Sequence, residues 1–141
     1  VPRTPQWRGL TLLQELRDAG VTVASASDNV RDYWLSCGSD YDMLAVWSQT
    51  QGLCHLETAP NEGTWADIVT TSPARAMGLL DETTSPLQVG QEANVILFPG
   101  ARTASELFAR PHNDRIVIRK GSVQNTTLPD YHELDDLFQL E

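Results

Sequence analysis

The stretch Gly20-Val21-Thr22-Val23-Ala24-Ser25-Ala26-Ser27-Asp28-Asn29 decides the fold. Val21 to Ala26 is a run of small and β-branched residues with no charge. Such a run suits a strand buried on both faces, as in a parallel sheet. It passes straight into Ser27-Asp28-Asn29 and then into polar sequence through Asp40. On its other side, Leu10, Leu13 and Leu16 recur at helical spacing, which predicts a helix over residues 10–19. Thr11 and Gln14 have the spacing of a capping box, and Gly20 is a natural stop. Helix, buried strand and polar loop in this order are the grammar of an α/β protein.

Working outward, a second helix is expected over residues 40–56, with Met43, Trp47 and Cys54 on one face. A third is expected after Asn61 or Gly63, carrying Trp65, Ile68 and Val69. Ser72-Pro73 predicts the start of a short fourth, with Ser as N-cap and Pro at the first helical position, and Gly78 closes it. Near residue 85 the character changes. Asn94-Val95-Ile96-Leu97-Phe98 is a β-type run ended by Pro99-Gly100, and residues 105–109 have room for one or two helical turns. Arg115-Ile116-Val117-Ile118-Arg119 alternates, and Lys120-Gly121 is a two-residue hairpin leading into Ser122-Val123-Gln124. From Thr126 onward the sequence is acidic, with Leu134, Leu137, Phe138 and Leu140 placed for a terminal helix. The expected organisation is therefore an α/β part over 1–85, a small β-rich unit over 86–125 and an acidic tail over 126–141.

The bulk numbers narrow the class. The chain has 141 residues, 40% of them hydrophobic and 21% charged, as in a globular domain. A formal charge of −9 opposes a nucleic-acid partner, because phosphate neutralisation needs a basic face. It also opposes an anionic membrane surface. No apolar run approaches the ~18–20 residues of a spanning helix, and no apolar core follows Val1-Pro2-Arg3-Thr4-Pro5 as a secretory leader would require. Cys37 and Cys54 are too few for a disulfide scaffold and stand at no zinc spacing with histidine. They read as reduced thiols in a cytoplasmic protein.

Asp28 is the first residue that could carry chemistry. It stands just past the end of the predicted strand, where ligand sites of parallel α/β folds lie. Taken alone, it reads first as the start of an Asp-Asn turn. Its neighbours add to it: Asp28-Asn29-Val30-Arg31-Asp32-Tyr33-Trp34 places two acids and an aromatic pair after one strand. Together with Gly20 to Ser27, Arg8-Gly9-Leu10-Thr11 and Asp42-Met43-Leu44, this string resembles the metal-dependent cytosine deaminase branch of the amidohydrolase superfamily. Thr70 to Leu79, Leu87 to Leu97 and the hairpin from Arg115 to Val123 resemble segments found across that superfamily.

The resemblance implies a C-terminal fragment of a (β/α)8 metal-dependent hydrolase barrel, its last strand and flanking helices, plus part of the small β-sandwich domain. It implies that Asp28 is at once a metal ligand and a catalytic carboxylate. A divalent metal, zinc or iron, lowers the pKa of a bound water toward ~7, and a carboxylate beside that water can take its proton and hand it to the leaving amine. Trp34 would wall the substrate pocket against a flat heterocycle, its alternative being ordinary packing. Asn29 would line the pocket, its alternative being turn chemistry. Several family members carry a second acid where this chain has Asn29, so the substrate stays open between cytosine and related heterocycles. Tyr33, where Pro is common, and Asn94, where Asp is common, are the other departures.

A complete barrel needs about 250 residues. The family's His-x-His pair, its mid-barrel histidines and its Glu are missing from these 141 residues. His55, His112 and His132 stand apart from one another and read as surface or capping residues. The expectation is a piece of a larger parent enzyme: inactive and metal-free by itself, with a small heterocyclic substrate for the parent and a homo-oligomer through unpaired strand edges. The reading from a different class is a non-catalytic remnant of the fold that serves binding or assembly.

Overall fold

The computed structural model describes residues 9–28, 42–56, 63–81, 87–109, 114–125, 127 and 132. The predicted terminal helix and the Pro111-His112 turn lie outside them. Helix α1 spans Leu13–Asp18, shorter than the leucine spacing predicts. The capping box does not form: Leu12 is the N-cap and no side chain caps the helix. Gln14 reaches across to the carbonyl of Cys54 instead. The stop is as expected. Gly20 takes φ 79°, its amide bonds Arg17 O and the Val21 amide bonds Leu16 O, the paired bonds of a Schellman ending.

Helix α2 spans Met43–Cys54. Asp42 caps it, its carboxylate accepting from the Leu44 amide at 3.0 Å. His55 ends it in the left-handed region at φ 53°. The predicted third helix is one turn of 3-10 helix, Ala66–Val69. Helix α3 spans Thr71–Ala76, with Thr70 rather than Ser72 at its N-cap. Ser72 is buried, and its hydroxyl faces the Asp67 carboxylate at 3.5 Å. A hydroxyl turned to a neighbouring acid cannot cap, which is why the Ser-Pro reading misplaces the start by a residue or two. Gly78 closes α3 at φ 69°, with a second pair of Schellman bonds from Gly78 and Leu79.

The expected buried strand is corrected. Residues 21–28 join no ladder among the described residues. Burial alternates along them: Val23, Ser25 and Ser27 are half-buried, whereas Thr22, Ala24, Ala26 and Asp28 are exposed. Period-two alternation is that of an extended chain with one covered face. The covered face lies on α2 and the 3-10 turn, where the Ser25 amide bonds Ile68 O at 2.9 Å. Burial of the second face needs another layer of the protein packed over it, and the described residues supply none.

The β-rich unit forms as expected. Strand β1 (Val95–Leu97), helix α4 (Ala104–Phe108), strand β2 (Ile116–Arg119) and strand β3 (Ser122–Val123) follow in order. The sheet is antiparallel with β2 in the centre. Ile118 stands opposite Val95 on one side and Val123 on the other. Lys120 and Gly121 both have positive φ, 50° and 75°, as a type I′ hairpin demands. The core is small. Leu56, Trp65 and Ile68 are buried, with Leu13, Trp47, Cys54 and Val69 packed on them. Trp47 meets Phe108 edge-on with 4.7 Å between ring centres, joining α2 to α4.

Candidate functional site

Asp28 ends the extended run. Its backbone takes φ 59°, the left-handed region that Asp tolerates better than most residues. The side chain lies on the exposed face, in phase with Thr22, Ala24 and Ala26. No hydrogen bond or ion pair engages its carboxylate among the described residues. An exposed carboxylate on a positive-φ residue at the end of a run, unengaged among the described residues, fits one hard oxygen ligand for a divalent metal. It is one ligand only. Among the described residues no group of three His, Cys, Asp or Glu could hold an ion, and catalytic zinc sites use about three protein ligands. Asn29 and Trp34 lie outside the described residues, as do Cys37 and His112. His55 and His132 are exposed, and Cys54 is a free thiol half-buried at the core.

The run that presents Asp28 is seated by hydroxyls. Ser25 Oγ lies 2.7 Å from Thr50 Oγ1. Thr50 in turn donates to the Val46 carbonyl one turn earlier in α2, at 2.8 Å. A threonine hydroxyl has one proton, so Ser25 is the donor in the first bond. Neither pairing was foreseen from sequence, where a Ser and a Thr 25 positions apart carry no sign of each other.

Two further charge arrangements frame the same elements. Arg115 grips Asp42 with two bonds, 2.7 Å to Oδ1 and 2.6 Å to Oδ2. The Arg115 guanidinium holds the Asp42 carboxyl below its ordinary value, helped by the Leu44 and Ala45 amides and opposed by partial burial. Arg17 lies 4.2 Å over the Trp65 ring and bonds Asp67 at 3.1 Å. Beside it a cavity of about 170 Å³ is lined by Gly20, Val21, Trp65, Ile68 and Ser72. This cavity lies at the start of the run, and Asp28 is not in its wall.

A lone carboxylate on an α/β run admits many chemistries, and comparison with known proteins narrows them. The sequence pattern of the amidohydrolase family matches residues 2–126, which include Asp28, Asn29 and Trp34. The chain belongs to the amidohydrolase family. Among individual proteins it is similar to the pterin deaminase of Rhizobium rhizogenes (strain K84), with 47% identity over 133 residues, 94% of this chain and 29% of that protein. It is also similar to the N-isopropylammelide isopropyl amidohydrolase of Pseudomonas sp. (strain ADP), with 30% identity over 83 residues, 59% of this chain and 20% of that protein. The chain thus spans less than a third of the length of each. No solved structure matches it. The family is the one the resemblance at Asp28 implies; the cytosine branch is not singled out by these matches.

Proposed function

We propose that the chain is the C-terminal part of a metal-dependent hydrolase that removes an amino group from a small nitrogen heterocycle. The observation that carries this reading is the 47% identity to a pterin deaminase across nearly the whole chain. Cytosine and pterin each bear an exocyclic amine on a ring carbon flanked by nitrogen, so either suits the same chemistry. The fold reading behind it is a (β/α)8 barrel whose last strand is the run ending at Asp28, with the antiparallel sheet belonging to an accompanying sandwich.

In this reading Asp28 binds the metal and acts as the proton carrier. A bound divalent metal, zinc or iron, would supply a nucleophilic water at neutral pH. Asp28 accepts the proton of the attacking water and returns it to the departing nitrogen, so water and aminoheterocycle become the oxo-heterocycle and ammonia. Trp34 walls the ring and Asn29 meets its edge. The chain by itself lacks the other ligands and is inactive, and with its extended run outside any ladder among the described residues it self-associates.

The test is ammonia release by the full-length parent from pterin and cytosine, for the wild type and Asp28→Asn, with the chain alone as control. Asp28→Asn is expected to lower kcat by about a hundred- to ten-thousand-fold, and the chain alone to release no ammonia. Unchanged turnover in Asp28→Asn would make Asp28 a turn residue. Turnover by the chain alone, or no turnover by the parent on any aminoheterocycle, would remove the reading.

A further inference from the structure

The segment that ends at Asp28 has no ladder partner among the described residues, yet it is fixed in place at one point. Ser25 makes both contacts there: its amide bonds Ile68 O at 2.9 Å, and its hydroxyl lies 2.7 Å from Thr50 Oγ1. The proton count gives the second contact a direction. Thr50 donates its only hydroxyl proton to Val46 O at 2.8 Å, so its oxygen faces Ser25 as an acceptor and Ser25 donates. Val46 is buried in the first turn of α2 and is itself bonded through its amide to the carbonyl of the N-cap, Asp42. The position of Ser25 is thereby referred to the rigid body of α2, and Asp28 follows three residues later on the opposite, exposed face of the run.

We propose that Ser25 and Thr50 are positioning residues, a two-hydroxyl chain that sets where the Asp28 carboxylate stands. The proposal rests on the reading of Asp28 as metal ligand and proton carrier. Main-chain pairing fixes a strand against its neighbours along its edges. It does not fix how the strand sits over the helix layer, and only contacts on the covered face do that. On that face Ser27 is small and Val23 borders the cavity beside Arg17, so they offer little resistance to a slide. The directional bond to Thr50 resists it. A displacement of the ligand by a fraction of an ångström weakens both metal binding and proton transfer, since each depends on the oxygen's position.

Thr50→Val in the full-length parent removes the acceptor while keeping the β-branched shape, and Thr50→Ser keeps the acceptor. Thr50→Val is expected to lower kcat by about tenfold or more, to leave KM unchanged, and to lose metal to a competing chelator about tenfold more readily. Thr50→Ser is expected to match the wild type in all three. Ser25→Ala, which leaves only an unused acceptor behind, is expected to follow Thr50→Val and serves if that variant does not fold. A folded Thr50→Val or Ser25→Ala with wild-type kcat and metal retention overturns the proposal, provided Asp28→Asn is inactive. If Asp28→Asn keeps full turnover, the underlying reading of the site fails instead.

Discussion

Two parts of the chain carry apolar sequence built to be strand, and they end differently. Val95–Leu97 and Ile116–Arg119 pair in register and recruit Ser122–Val123. Val21 to Ala26 also opens on a strand-like Val-Thr-Val, yet joins no ladder among the described residues. The difference lies in where the partners are. Strands β2 and β3 close their hairpin with two residues, so that pairing costs little chain entropy, and β1 reaches β2 from residues 98–115 of the same unit. A parallel strand has no partner that short a connection can reach, and its neighbours come from remote sequence. Composition therefore tells that a run wants a sheet; connectivity decides whether a given length of chain holds one.

Proline substitution gives the largest contrast between the two runs. Ile118→Pro removes a donor from the central strand and is expected to cost on the order of 3 kcal/mol in the chain. Ala24→Pro falls where the amide has no described partner, and is expected to cost less than about 1 kcal/mol there. Urea unfolding followed by circular dichroism measures both. Equal losses would show that the run is laddered in solution and would break the comparison. In the full-length parent the two variants are expected to converge, because there the run would have neighbours on both edges.

What was legible in the sequence divides along the same line. Gly20, Gly78 and the Lys120-Gly121 turn were readable because each is a local demand on backbone sign, and positive φ leaves few residue types to choose from. Helix starts were read less well. Thr11 does not cap α1, and Ser72 turns its hydroxyl to Asp67, because a polar side chain has several local uses and tertiary neighbours choose among them. Asp28 was legible as the end of an apolar run, and the family follows from its surroundings. The seat of Asp28 was not legible. Ser25 with Thr50 and Asp42 with Arg115 are pairings across the fold, and nothing in one partner's local sequence specifies the other.

Arg115 sharpens the comparison from the sheet side. It stands immediately before β2 and clamps the N-cap carboxylate of α2, the helix whose Thr50 seats the run. Arg115→Met keeps the stem and removes the fork. Near neutral pH it is expected to cost about 1.5–3 kcal/mol, the range for hydrogen bonds to charged groups. The Asp42 carboxyl is held below its ordinary 3.8, so the stabilisation is complete above that value and fades as pH falls through the lowered one. The gap between wild type and Arg115→Met is therefore expected to close in acid, below about 3.8. A gap independent of pH would mean that Arg115 acts through packing. If amide exchange at Ser25 is unchanged in the variant, the sheet and the run answer to α2 separately.

The smallest expected effect tests whether the hairpin forms for the reason given. Gly121 has φ 75°, and a Cβ built on it would meet nothing within 4 Å. Any penalty for Gly121→Ala is therefore conformational and owes nothing to a clash. A left-handed L-residue costs about 1–2 kcal/mol, and the reduced freedom of the unfolded chain returns about 0.4–1 kcal/mol. The net loss is expected near 1 kcal/mol by urea unfolding. Lys120 already bears a positive φ at its own position, and its amide is held by the Asn94 side chain at 3.0 Å. Asn94→Ala in the Gly121→Ala background removes that support, so the loss in the double variant should exceed the sum of the two single losses if turn chemistry closes the sheet. Strict additivity would place the closing force in the apolar faces of β1 and β2 instead.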